Sequence, residues 1–188
     1  MLSRTFLTVA LAVALCSEVR LHAQQWVPLG PNDWNWPSVG KAYNPTLTLD
    51  ASGLPLVGSR DFGYGGDFRV RRWNGTGWIA LGANGFSLTG TLLSEMVLDG
   101  LGNPVIACSD PSNNDHISVR RWNGATWVPI GNDGFSSGEI TAVKLAKDGM
   151  GRFVVAYIDD SIDRVCVKRW NGNAWATIGV EGFSDQSA

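Results

Sequence analysis

Histidine is almost absent from this chain. Only His22 and His116 occur among 188 residues. That excludes clusters of histidine ligands, and if the N-terminal segment carrying His22 is removed, His116 alone is left as a histidine general base for any nucleophile. Charge is also scarce. Charged residues make up 17% of the chain, and the formal net charge is −2. No basic excess exists to follow a nucleic-acid backbone or an anionic membrane. Cysteine numbers three, too few for a disulfide framework. Long apolar runs are missing too. The single apolar stretch, Phe6 to Cys16, is too short to span a bilayer.

That stretch reads instead as the core of a secretory signal. Arg4 precedes it, and Leu21-His22-Ala23 offers a small residue before a cut. Residues 1–23 are therefore expected to be a signal peptide, with Gln24 as the mature start. Removing them takes away Arg4, Arg20 and Glu18, so 15 basic residues become 13 and 17 acidic ones become 16, a net charge of −3. The expected location is secreted, periplasmic or cell-surface. Cys108 and Cys166 then remain, at non-equivalent positions. They are expected as small buried residues, with a single bridge as the lesser alternative.

Tryptophan and glycine are abundant, with nine and 23 residues. They fall in a repeat. Arg72-Trp73-Asn74-Gly75-Thr76-Gly77-Trp78 returns as Arg121-Trp122-Asn123-Gly124-Ala125-Thr126-Trp127 and as Arg169-Trp170-Asn171-Gly172-Asn173-Ala174-Trp175. The spacing is about 49 residues, the signature of a repeat architecture. Asn-Gly between β-rich runs signals a hairpin, with positive φ expected at both residues of a type I′ turn. After each hairpin comes an apolar strand closed by glycine, at Gly82, Gly131 and Gly179. Trp26-Val27-Pro28-Leu29-Gly30 repeats that closing strand without the three strands before it. A Gly-Phe-Ser linker follows at Gly85, Gly134 and Gly182.

Each full repeat offers four short strands. The first lies near Thr46–Leu49, Ser94–Leu98 and Ile140–Leu145. Turns with Asp three before Gly follow, at Asp50, Asp99 and Asp148. The second strands close on Asp61, Asp110 and Asp159, and the third run into the Trp-Asn-Gly hairpins. Alternating side chains support strands, and glycines interrupt every run before a helix completes three turns. Four-strand units in tandem predict an all-β fold of β-propeller-type blades: three complete antiparallel blades plus one extra N-terminal strand, an incomplete ring. The expected divisions of 24–188 are an orphan outer strand and linker at 24–43, then blades at 44–87, 88–136 and 137–188. The unclosed count predicts a fragment of a longer chain, or copies that self-associate through an open blade edge.

At Val70–Gly82, Val119–Gly131 and Val167–Gly179 the chain resembles secreted bacterial β-propeller repeats with a W-N-G-x-x-W hairpin. More distantly it resembles the fucose-binding propeller lectins. Those hold the sugar with an Arg on the second strand, a Glu shortly before the first Trp and an aromatic wall. Here Val70, Val119 and Val167 precede the first Trp, and Arg60 and Arg152 only flank the second strands.

The candidate ligand contacts are Trp34 and Trp36, which fall outside the strand pattern, and polar loop residues between second and third strands. Those are Asp61, Tyr64, Asp110, Asp115, His116, Asp159, Asp160 and Asp163. Carboxylates and amides on variable loops over a rigid scaffold suit hydrogen bonding to sugar hydroxyls. For Asp61, Asp110 and Asp159 the competing reading is that each closes its own loop. No Ca²⁺-loop spacing and no phosphate loop occurs, so no metal, cofactor or catalytic residue is assigned. The expectation is an exported, non-catalytic binding module for an extracellular glycan or surface protein. The alternatives are a structural repeat segment without a ligand site and a fragment of a propeller hydrolase.

Overall fold

The computed structural model describes residues 27–30, 41–82 and 91–184. They form three four-stranded antiparallel sheets. The first contains β1 (Ala42–Leu49), β2 (Pro55–Asp61), β3 (Asp67–Trp73) and β4 (Trp78–Ala80). The second contains β5 (Ser94–Leu98), β6 (Pro104–Asp110), β7 (His116–Trp122) and β8 (Trp127–Pro129). The third contains β9 (Ile140–Lys147), β10 (Phe153–Asp159), β11 (Arg164–Trp170) and β12 (Trp175–Thr177). Each sheet is an up-and-down meander, and the first strands β1, β5 and β9 lie side by side. This is the propeller arrangement that the repeat predicted.

The turns follow from side-chain chemistry. Asp50 Oδ1 accepts from the Ser52 and Leu54 amides at 2.9 Å each, while Gly53 takes a φ of 76°. Asp99 and Asp148 repeat the pattern. The Trp-Asn-Gly hairpins differ from the type I′ expectation. Only the glycine has positive φ, at 97° for Gly75, 99° for Gly124 and 101° for Gly172. The loop holds four residues, because Trp73 pairs with Trp78 and the Asn74 amide donates to the Gly77 carbonyl. Asn74 Oδ1 accepts from the amides of Thr76 and Gly77. The asparagine is therefore a side-chain acceptor and not a left-handed backbone residue. The first strand also starts earlier than Thr46: Ala42 and Tyr43 pair with Asp61 and Arg60 across a bulge at Asn44 and Pro45.

The core sits between the sheets. One face of β6, with Ile106 and Cys108, packs against Leu56, Phe68 and Val70 of the first sheet. The other face, with Val105 and Ala107, packs against Val143, Val155 and Tyr157 of the third. All seven residues of β6 are buried, whereas burial alternates along β10. Cys108 and Cys166 are both free and buried. Burial, reinforced by the Asp110 carboxylate, pushes the Cys108 thiol up.

The sheets are joined by a repeated tryptophan clasp. Trp78 Nε1 donates to the Leu29 carbonyl at 3.0 Å, Trp127 Nε1 to Leu81 at 3.0 Å, and Trp175 Nε1 to Ile130 at 2.7 Å. The next residue is glycine in each case, with a left-handed φ of 85° at Gly30, 95° at Gly82 and 81° at Gly131, and at Gly131 the indoles also leave no room. A Cβ on Gly131 would lie 2.8 Å from the Trp170 ring. The recurring tryptophans are thus packing residues with a polar handle.

Candidate functional site

Asp61, Asp110 and Asp159 occupy equivalent positions at the ends of β2, β6 and β10, and all three are buried. Their carboxylates are turned inward. Asp61 Oδ1 accepts from the Gly63 amide, capping a short 3₁₀ turn, Phe62–Tyr64. Asp110 accepts from the Ser112 amide, from the Asn113 side chain and from the Ser118 hydroxyl at 2.7 Å. Asp159 accepts from the Ser161 amide and hydroxyl and from the Gly138 amide at 3.1 Å. Among these residues the loop-closing reading holds.

The same contacts place two other carboxylates. The Asp110 carbonyl accepts from the Asp115 amide, and the Asp115 carbonyl accepts from the Ile140 amide across the sheet boundary. Gly138 approaches Asp159 so closely that a Cβ would lie 2.6 Å from its Oδ1. That contact fixes the backbone just before Glu139. Asp115 and Glu139 both line a cavity of about 200 Å³ between the second and third sheets. Ser109 and Thr141 add hydroxyls to its wall, and Leu92, Leu93 and Ile140 add apolar surface. An open cavity of about 290 Å³, along the first strands, shares Leu92, Leu93 and Thr141 with it. It is crossed by the ion pair between Lys144 and Glu95 at 2.6 Å.

The first sheet shows how this site arises from the repeat. Gly65 and Gly66 stand at the positions of Asn114 and Asp115, with φ of 75° and 87°. Asn114 and Asp115 keep the left-handed backbone, both at φ 55°, although they carry side chains. Arg60 stands at the position of Ser109. Its Nε donates to the Gly66 carbonyl, and its guanidinium lies 4.5 Å from the Phe62 ring centre. Exchanging Arg for Ser removes bulk, and exchanging Gly for Asp adds a carboxylate.

Of the loop residues read from sequence, Asp115 lines the cavity. His116 follows it and opens β7, half-buried. Asp160 and Asp163 are exposed on the third sheet's loop, and the Asp160 amide donates to the Glu139 carbonyl. Tyr64 lies in the first 3₁₀ turn. Trp34, Trp36, the linker at Gly85 and the signal segment fall outside the described residues. Sequence reading missed Ser109, Glu139 and Thr141, which belong to strand ends and a linker. The signal was available: Ser109 breaks the match to Arg60. Among the described residues no group of three acidic, histidine or cysteine side chains is placed to hold a metal ion.

No protein-family profile and no curated protein matches the chain. Solved structures do. The Penicillium chrysogenum α-L-arabinanase complexed with arabinobiose superposes with a TM-score of 0.53 at 14% identity, over 81% of this chain and 53% of that one. The GH93 α-L-arabinofuranosidase of Fusarium graminearum, also complexed with arabinobiose, gives 0.50 at 14% identity, over 78% and 49%. A fucose lectin from Kordia zhangzhouensis gives 0.49 at 17% identity, over 73% and 99%. The chain spans about half the length of the two arabinose-directed proteins. At these identities the likeness establishes the fold: three blades of a β-propeller.

Proposed function

We propose that the chain is an exported, non-catalytic binding module whose cavity between the second and third sheets takes one polar unit of an extracellular carbohydrate. The observation that carries this reading is Asp115. Left-handed backbone is costly for a residue with a Cβ, and glycine serves the same position in the first sheet. The second sheet keeps a carboxylate there, in the wall of a cavity that also holds Glu139 and two hydroxyls. Two carboxylates accept from sugar hydroxyls, Thr141 both donates and accepts, and Leu92 with Ile140 offers apolar surface to ring C–H groups, while the Ser109 hydroxyl, which accepts from the Leu92 and Leu93 amides, shapes the wall. At about 200 Å³ the space is below the ~300 Å³ typical of drug-sized sites, which suits a single sugar or chain end. Propellers from the comparisons carry arabinobiose on the same fold.

The test is a glycan array on the mature protein, repeated with Asp115→Gly. The variant copies Gly66, so stability should hold or rise by up to about 1 kcal/mol while glycan binding is lost. Silence of the wild type on the array, or binding unchanged in the variant, defeats the proposal. A second reading, hydrolysis, is favoured by the two carboxylates sharing one cavity. Release of nitrophenol from arabinosides that stops in Glu139→Gln would establish it instead.

A further inference from the structure

The boundary between the second and third sheets uses the same repeat positions as the boundary between the first and second, with the charge reversed. Counted from the turn aspartates Asp99 and Asp148, Glu139 stands where the linker before the second sheet has Gly90, and Thr141 where it has Leu92. Counted from Asp61 and Asp110, Asp115 stands at the position of Gly66 and Ser109 at that of Arg60. At these four positions the earlier boundary has a cation and no carboxylate. The later one has two carboxylates, Asp115 and Glu139, and no cation.

Among the described residues no ion pair reaches either carboxylate. Lys144, in the adjoining open cavity, is held by Glu95 at 2.6 Å. Arg164 opens the strand after the loop that carries Asp160 and Asp163, and its Nη1 donates to the Gly182 carbonyl at 3.3 Å. His116 directly follows Asp115 and forms no ion pair with it. Residues 31–40, 83–90 and 185–188 contain no lysine, arginine or histidine. Asp160, whose amide donates to the Glu139 carbonyl, adds an exposed carboxylate beside them. Like charges facing one cavity repel each other, and more strongly beside Leu93 and Ile140 than in open water.

On the carbohydrate reading proposed above, on which this step rests, we infer that the unit this cavity takes is an amino sugar with a free ammonium group. The ammonium offers three donors to the two carboxylates, and its charge relieves their repulsion. Ring hydroxyls meet Thr141, and the C–H face of the ring meets Leu92 and Ile140. N-acetylation removes the charge and leaves a single N–H donor, so an acetylated or neutral sugar forms only the weaker, uncharged hydrogen bonds.

Titration calorimetry with a glucosamine tetramer, its N-acetylated counterpart and tetralysine reads the outcome. The free-amine tetramer should bind about tenfold more tightly than either of the others. Asp115→Asn and Glu139→Gln each remove one charge and keep the shape, and Asn suits the left-handed backbone at position 115. Each should cut the preference to about threefold or less with an unchanged unfolding midpoint. Equal affinity for the two tetramers, or array binding confined to uncharged glycans, overturns the inference while the carbohydrate reading stands. Tetralysine binding as tightly as the amino sugar overturns it too, as does a preference that survives both substitutions. Silence toward every glycan defeats the carbohydrate reading and this one with it.

Discussion

The second and third sheets carry the same strand pattern, yet they sit in different surroundings. Along β6 every side chain is buried, since the first sheet covers one face and the third sheet the other. Along β10 only alternate residues are buried. Phe153, Val155 and Tyr157 meet the second sheet, while Val154, Ala156 and Ile158 are partly open. Burial here is a property of the stack rather than of the strand. The half-buried alternation usual for an antiparallel sheet with one wet face becomes a continuous apolar run once a second neighbour arrives.

The sharpest way to break this comparison is paired truncation. Ile106→Ala removes a side chain enclosed on β6 and should cost about 2–5 kcal/mol in urea unfolding, whereas Ile158→Ala on the open face of β10 should cost about 1 kcal/mol or less. Equal losses would mean that the two faces are equally enclosed in solution. The clasp gives a second, smaller contrast. Trp127→Phe keeps an aromatic side chain, though a smaller one, and leaves the Leu81 carbonyl without its donor, a loss of about 1–3 kcal/mol. Trp78→Phe loses a bond to an exposed segment and should cost below about 1 kcal/mol by the same measurement.

Two further substitutions probe features that neighbours do not reach. Asn123→Ala and Asn171→Ala remove the same pair of exposed hairpin hydrogen bonds and should each cost about 1 kcal/mol. A large difference between them would show that the hairpins feel the interface after all. The smallest effect is pH-dependent. The Arg152 side chain, bonded to Asp148 at 2.7 Å, holds that carboxylate below its usual value of 3.8. A lowered folded pKa gives stability that is present above the unfolded value and lost as pH falls through the folded one. Thermal midpoints of wild type and Asp148→Asn should therefore differ slightly at neutral pH and converge in acid. A gap that stays the same from neutral pH down to acid in which the carboxylate is protonated in both the folded and unfolded chain would contradict the ion pair.

Legibility tracked how local the physics is. The Asp-to-Gly turns were readable because a carboxylate three residues before a left-handed glycine bonds its own turn. The hairpin was legible as a hairpin but misread in type, since Asn-Gly chemistry serves both a two-residue and a four-residue loop. What separates them is the pairing of Trp73 with Trp78, a cross-strand register. The loop acids were visible as a group, but three of them point inward, and only Asp115 among them reaches the cavity. Glu139 and Thr141 were passed over because they belong to another repeat and meet Asp115 only after the sheets stack.

The sequence by itself determined the repeat, the four-strand unit and its turns, because each rests on contacts between residues close along the chain. Tertiary structure alone decided which acids face a common space, which tryptophan grips which carbonyl and which strand is enclosed on both sides. Those outcomes depend on residues some 20 to 49 positions apart, brought together only when one sheet lies against the next.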